Sequence, residues 1–97
     1  MNVYEEYQKK LTTPQQAVQC IQSGDWVDYG VCAGHPVALD RALAQRGAEL
    51  HDVKIRGMNA LWLPGIAKIP DAAQHFCWNS WAMMGDERKM QKLGMCY

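Results

Sequence analysis

Apolar positions recur along this chain with two spacings, and they divide it into helices and strands. Tyr4, Tyr7 and Leu11 stand at i, i+3 and i+7, one stripe of a helix over residues 3–11. Thr13 then opens a second helix. Its side chain caps, Pro14 suits the first helical position because the N–H it lacks would be unpaired there, and Gln16 completes a Thr-x-x-Gln capping box. Ala17, Val18 and Ile21 make that helix's inward face, and Gly24 supplies the left-handed stop.

The spacing changes to two over residues 25–30, where Val27 and Tyr29 share one face of a strand and Trp26 and Asp28 the other. A turn bearing Gly30 and Gly34 leads to a helix that Pro36 starts and Gly47 ends. Val37, Leu39, Ala42 and Leu43 are expected to face inward, and Asp40, Arg41, Gln45 and Arg46 to face water. Val53 and Ile55 alternate with Lys54 and Arg56 in a strand over residues 53–57. Strand, helix, strand in that order is a βαβ unit with a parallel crossover. Residues 58–73 read as irregular because Pro64, Gly65 and Pro70 interrupt any long helix. A third strand is expected over residues 75–78. The last helix, residues 85–93, has Asp86 and Glu87 in its first turn, Lys89 and Lys92 toward its end, and Gly94 as its stop. Met95, Cys96 and Tyr97 look like the first step of another strand, cut off before it pairs. The fold class is therefore α/β, with parallel-sheet βαβ units and flanking helices, incomplete.

Ninety-seven residues support one core, burying roughly two-thirds of the unfolded surface. With 48% hydrophobic and 21% charged residues the chain is globular rather than disordered. Ten basic residues balance ten acidic ones without a Lys/Arg run, which argues against nucleic acid and anionic membranes as partners. The longest apolar stretch, residues 60–67, contains Pro64 and Gly65 and is far short of the roughly 20 residues that span a bilayer. No secretory signal pattern opens the chain, so its four cysteines are expected to be reduced thiols in a cytoplasm. Six Met and four Trp exceed what so small a core readily hides and hint at a contact surface.

Three groups of residues could carry chemistry. The turn over residues 30–36 lies between a strand's carboxyl end and a helix start, where open α/β sheets bind ligands, although it holds neither a dinucleotide fingerprint nor a P-loop. Cys32-x-x-His35 and His75-x-Cys77 would together offer two thiolates and two imidazoles to zinc, but without a familiar spacing, and buried core cysteines are the simpler reading. A catalytic Cys32 with His35 lacks a third group to orient the base. Asn79 and Ser80 fall where the third strand hands over to the last helix, beside Trp81, Met83 and Met84. They read either as a capping pair with core aromatics or as a pocket wall.

The run Gly24-Asp25-x-Val27-x-x-Gly30, followed by Pro36-x-x-Leu39-x-x-Ala42-Leu43, resembles the first βα unit of the acetyl-CoA hydrolase/transferase family, the class I coenzyme A transferases. Asn79-Ser80-Trp81-x-Met83-x-Gly85-x-Glu87-Arg88-Lys89-Met90 resembles a second landmark of that family's N-terminal domain. The two together are most like the butyryl-CoA:acetate and 4-hydroxybutyrate CoA-transferase branch, over residues 5–97. The resemblance implies covalent transfer of coenzyme A between carboxylic acids through a glutamyl-CoA thioester. It also implies that residues 1–97 are the opening part of an N-terminal domain and that the catalytic C-terminal domain, with the nucleophilic glutamate and a glycine-rich CoA loop, is absent. Nothing here matches those features, so Glu5, Glu6, Glu49 and Glu87 are not promoted to nucleophile and no catalytic residue is assigned. The implied substrates are acyl-CoA and a small carboxylate, with no metal. The backbone N–H groups of Gly34 and His35 and the side chains of Asn79 and Ser80 are the candidate substrate contacts. A homo-oligomer in the cytoplasm is expected, and a small binding or oligomerisation module without catalysis is the alternative.

Overall fold

The computed structural model describes all 97 residues. Three strands, β1 (Trp26–Val31), β2 (Val53–Met58) and β3 (Phe76–Ser80), form a parallel sheet in the order β1-β2-β3. The alternation in β2 decides how the sheet is laid. Val53 and Ile55 are fully buried, Lys54 is half-buried and Arg56 exposed, so one face packs the core and the other stays open. Phe76 and Trp78 of β3 and Tyr29 of β1 complete the packed face. Gly57 is required there because a Cβ would lie 2.4 Å from Trp78 Cζ2, so the indole occupies the space a side chain would need.

Helix α3 (Val37–Gln45) makes the crossover between β1 and β2, and Pro36 stands just before it rather than in its first turn. Ala42 and Leu43 are buried as expected, but Val37 and Leu39 are exposed and Asp40 is buried. The helix is turned this way because the Asp40 carboxylate collects three donors: Tyr29 Oη at 2.9 Å, Gly65 N at 2.5 Å and Ile66 N at 3.3 Å. Arg46 also leaves the water-facing side. Its guanidinium donates to Val18 O and Ile21 O, fastening the preceding segment to α3.

That segment is shorter than its pattern suggests, with α2 (Pro14–Ala17) passing at once into a 3₁₀ turn, Val18–Cys20. Thr13 caps it through the Gln16 N–H at 3.2 Å, but the Gln16 side chain accepts from the Thr12 hydroxyl, so half the expected capping box forms. β2 runs one residue further than expected, through Met58, and residues 59–73 are irregular apart from a 3₁₀ turn, Gly65–Ala67, and the start of α4 (Ala72–His75), which takes His75 out of the expected strand. Strand β3 instead runs on through Asn79 and Ser80. Helix α5 (Gly85–Lys92) follows, with Met90 buried. Met95–Tyr97 pairs after all: Trp78 N–H donates to Met95 O at 2.5 Å and Tyr97 N–H to Trp78 O at 2.9 Å, a parallel bridge on the outer side of β3.

Helix α1 (Val3–Lys10) has the expected period but buries nothing, and Tyr4, Tyr7 and Leu11 are all exposed. Its projection lengthens the molecule to 47 × 27 × 18 Å. The radius of gyration is 14.1 Å, against about 12.5 Å for a compact chain of this length.

Candidate functional site at the carboxyl edge of the sheet

The three strands end together, and their loops are unusually constrained. β1 carries a bulge between Asp28 and Gly30, where Asp28 Oδ1 accepts from Gly30 N at 2.8 Å and Gly30 takes φ +75°. The residue after β1, Cys32, and the residue after β2, Asn59, both adopt left-handed backbone, φ 54° and 51°. Such a conformation costs a β-carbon roughly 1–2 kcal/mol, less for Asn, and it recurs away from this edge at Asp52 and Asp71. The β3 loop is laid over the end of β2 by Trp81 N–H to Gly57 O at 3.3 Å and Asn59 N–H to Ala82 O at 3.1 Å.

Two buried carboxylates hold these loops. Asp40 ties α3 to Tyr29 and to the turn at Gly65. Burial first, then the Asp40 charge and its hydrogen bond, raise the Tyr29 pKa well above the usual phenol value, so the hydroxyl stays a donor. Glu87, fully buried, accepts from Ala60 N at 3.0 Å and Met84 N at 2.7 Å. It stands at the third position of α5 and reaches back to the residue before the helix, so one side chain caps α5 and joins the β2 and β3 loops.

The candidate contacts from the sequence are distributed along this edge. Gly34 lies in the turn Cys32–Gly34, with open space where a Cβ would be. His35 N–H donates to Cys32 O at a long 3.3 Å. The His35 ring is buried, with Nε2 at 3.0 Å from Gly30 O and edge contacts to Tyr29, Trp62 and Trp78. Facing a carbonyl, Nε2 carries the ring proton. Asn79 and Ser80 stand two strands away, about 10 Å at the usual strand spacing. As consecutive strand residues they point to opposite faces. Asn79 lies on the open face, its Nδ2 donating to Cys77 O at 3.2 Å. Ser80 Oγ is buried on the packed side and finds no partner in the protein, like Trp78 Nε1. Cys32 and His35 follow β1, whereas His75 and Cys77 stand at the amino end of β3, where His75 Nδ1 meets Leu50 O at 2.7 Å. The sheet therefore separates the two pairs. Cys96 is buried, and burial, then Glu87, then Cys77 push its thiol up to about 11.

Sequence reasoning did not single out Arg56. The register lays Asp28, Arg56 and Asn79 side by side across the open face, and Asp28 and Arg56 line a cleft of about 210 Å³ together with Gly30, Met58 and Trp81. Arg56 makes no ion pair, and its guanidinium carbon lies 5.3 Å from the Trp26 ring centre. The alternation of β2 did place Arg56 opposite the core, but the cleft arises from the ends of β1 and β2 and the loop after β3 coming together.

Residues 1–97, the whole chain, match the model of the acetyl-CoA hydrolase/transferase N-terminal domain. The chain belongs to the acetyl-CoA hydrolase/transferase family. Among this family's curated members, it is 52% identical over 97 residues to butyryl-CoA:acetate CoA-transferase of Anaerostipes caccae, covering all of this chain and 22% of that protein. It is 40% identical over 93 residues to a probable butyrate:acetyl-CoA coenzyme A-transferase of Syntrophomonas wolfei, covering 96% of this chain and 21% of that one. The crystal structure of RipA from Yersinia pestis superposes on 97% of this chain with a TM-score of 0.81 at 26% identity, using 22% of its own length. The chain therefore spans about a fifth of the length of the relatives it matches. The α/β architecture with a parallel sheet is shared with RipA.

Proposed function

We propose that this chain is the N-terminal portion of an acyl-CoA:carboxylate CoA-transferase of the butyryl-CoA:acetate or 4-hydroxybutyrate type. The observation that supports it is the 52% identity to the Anaerostipes transferase along the whole chain. The glutamate that becomes the glutamyl-CoA thioester lies outside these 97 residues, so this chain supplies one wall of the substrate pocket. In this reading the Gly34 and His35 N–H groups approach the substrate carboxylate or oxyanion from the β1 side, His35 by giving up its long bond to Cys32 O. Asn79 donates from the open face of β3 and Ser80 from the packed face, where its Oγ is the hydroxyl without a competing partner. The missing catalytic domain, acyl-CoA and a small carboxylate are the partners, and no metal takes part. Four free cysteines fit a reducing compartment, and we assign the protein to the cytoplasm.

The test is CoA transfer from butyryl-CoA to acetate. The 97-residue chain is expected to be inactive. A polypeptide extended to the relatives' length is expected to transfer CoA and to carry its covalent adduct beyond Tyr97. Turnover by the pure 97-residue chain, with an adduct on any of its residues, overturns the proposal. A second reading, an oligomerisation module without catalysis, is favoured by the exposed Tyr4, Tyr7 and Leu11 stripe of α1. Light scattering that finds a concentration-independent monomer counts against it.

A further inference from the structure

Parallel sheets are usually covered on both faces and read as continuous apolar runs. This one is apolar on the packed face only. Across the other, the register sets Trp26, Lys54 and Cys77 in one row and Asp28, Arg56 and Asn79 in the next, nearer the carboxyl edge. The cations of these rows differ in one respect that matters. Lys54 is paired with Asp52 at 3.0 Å, whereas Arg56 has no carboxylate partner, although Asp28 is its neighbour in the register. Asp28 instead directs Oδ1 to the Gly30 N–H in the bulge, and the Arg56 guanidinium turns toward Trp26.

The unpaired guanidinium therefore stands at a cleft whose other walls are the apolar Val31 and Met58 at the ends of β1 and β2, Trp81 in the loop after β3, Gly30 and Gly57, and Asp28, whose Oδ1 is held by the Gly30 N–H. No other cationic side chain lines it. A planar fork stacked on an aromatic ring is suited to receiving two carboxylate oxygens at once, which a lysine ammonium cannot do. The apolar walls suit a short alkyl chain. The cleft's volume of about 210 Å³ leaves room for a ligand as small as a four-carbon carboxylate.

We propose that Arg56 reads the carboxylate of a short aliphatic acid bound in this open-face cleft, with Val31, Met58 and Trp81 around its chain. The proposal rests on the transferase reading for its choice of ligand and assigns a residue that reading does not use. Asn79 shares this face as the register neighbour of Arg56 but lies outside the cleft's lining, and Ser80 points to the packed side.

The indole N–H signals in a two-dimensional proton–nitrogen NMR spectrum of the 97-residue chain test it, because Trp81 lines the cleft, Trp26 lies against the Arg56 guanidinium and Trp78 is buried on the opposite face. Sodium butyrate is expected to shift Trp26 and Trp81 saturably in the millimolar range and leave Trp78 in place. Sodium chloride and neutral butyramide are expected to shift neither. Arg56→Lys should weaken butyrate about tenfold, since it keeps the charge and loses the fork, and Arg56→Gln should abolish the shift. Circular dichroism of both variants should match the parent, because Arg56 is exposed. Non-saturating shifts, equal shifts with chloride or butyramide, or an Arg56→Gln variant that binds like the parent each overturn the proposal. If butyrate binds through Arg56 but the extended polypeptide transfers no CoA, the transferase reading fails and the site stands. If CoA is transferred and these indoles ignore butyrate, only the Arg56 proposal falls.

Discussion

Removing the Glu87 carboxylate should open both loops at the carboxyl edge. The side chain is fully buried, and its two oxygens accept from Ala60 N at 3.0 Å and Met84 N at 2.7 Å. Hydrogen bonds to a charged acceptor contribute about 1.5–3 kcal/mol each, and a buried N–H left unpaired costs about 1–3 kcal/mol. Interaction with the amino end of α5 adds up to about 2 kcal/mol in a partly buried setting. These terms overlap, because losing the bond and exposing the donor are one event. Glu87→Ala should therefore destabilise by about 3–5 kcal/mol, a large share of the roughly 5–15 kcal/mol typical of a domain. Glu87→Gln keeps one acceptor oxygen and sets an NH₂ against the other N–H, so a loss of about 1–3 kcal/mol is expected. Urea unfolding followed by circular dichroism measures both, with an unchanged slope showing that the unfolded reference is the same. A Glu87→Ala chain within about 0.5 kcal/mol of the parent, the usual range of inconsequential surface changes, would refute the idea that this carboxylate holds the loops.

Gly57→Ala places a methyl 2.4 Å from Trp78 Cζ2, and overpacking of this kind costs about 1–3 kcal/mol; a chain that melts like the parent would mean the indole has room to move. Ser80→Ala removes a buried hydroxyl with no protein partner, so unfolding stability should hold or rise by up to about 1 kcal/mol, while CoA transfer by the extended polypeptide should fall. A clear loss of stability would show that the hydroxyl is satisfied in solution. Stability should also decline at alkaline pH. The folded-state thiol of Cys96 is raised from 9.0 to about 11, so the unfolded chain loses its proton first. That contribution is fully present below pH 9 and is lost as pH rises toward 11. Tyr29, raised by burial and by Asp40, adds a loss of the same sign starting near pH 10. Cys96→Ala should flatten the first part of the pH profile, and an unchanged profile would assign the slope elsewhere.

Local patterns were legible where neighbours in sequence are also neighbours in space. The alternation of Val53, Lys54, Ile55 and Arg56 shows in β2 as buried and open faces, and the Thr13 cap and the stop before Gly94 need only adjacent residues. The orientation of α3 was not legible. Asp40 looks like a water-facing acid by its period, and only donors up to 26 residues away in the chain draw it inside. For the same reason β3 ran on through Asn79 and Ser80: its length is decided by pairing with β2 and, on its outer side, with residues 95–97. At the candidate site, the turn at Gly34 and the edge at Ser80 could be named from the chain. Arg56 could not, because nothing local distinguishes a free guanidinium from a paired one.

The order of strands and helices, the parallel α/β class and the family resemblance are properties of the sequence by itself, since they rest on periodicity, caps and short runs of residues. Tertiary structure alone decided which face of the sheet stays open, which carboxylates are buried, and that Asp28, Arg56 and Asn79 form one row beside a cleft. The physical reason is that burial and charge pairing are sums over contacts between distant segments. A periodic pattern reports which side of an element is apolar, but only the packed chain determines what stands opposite it.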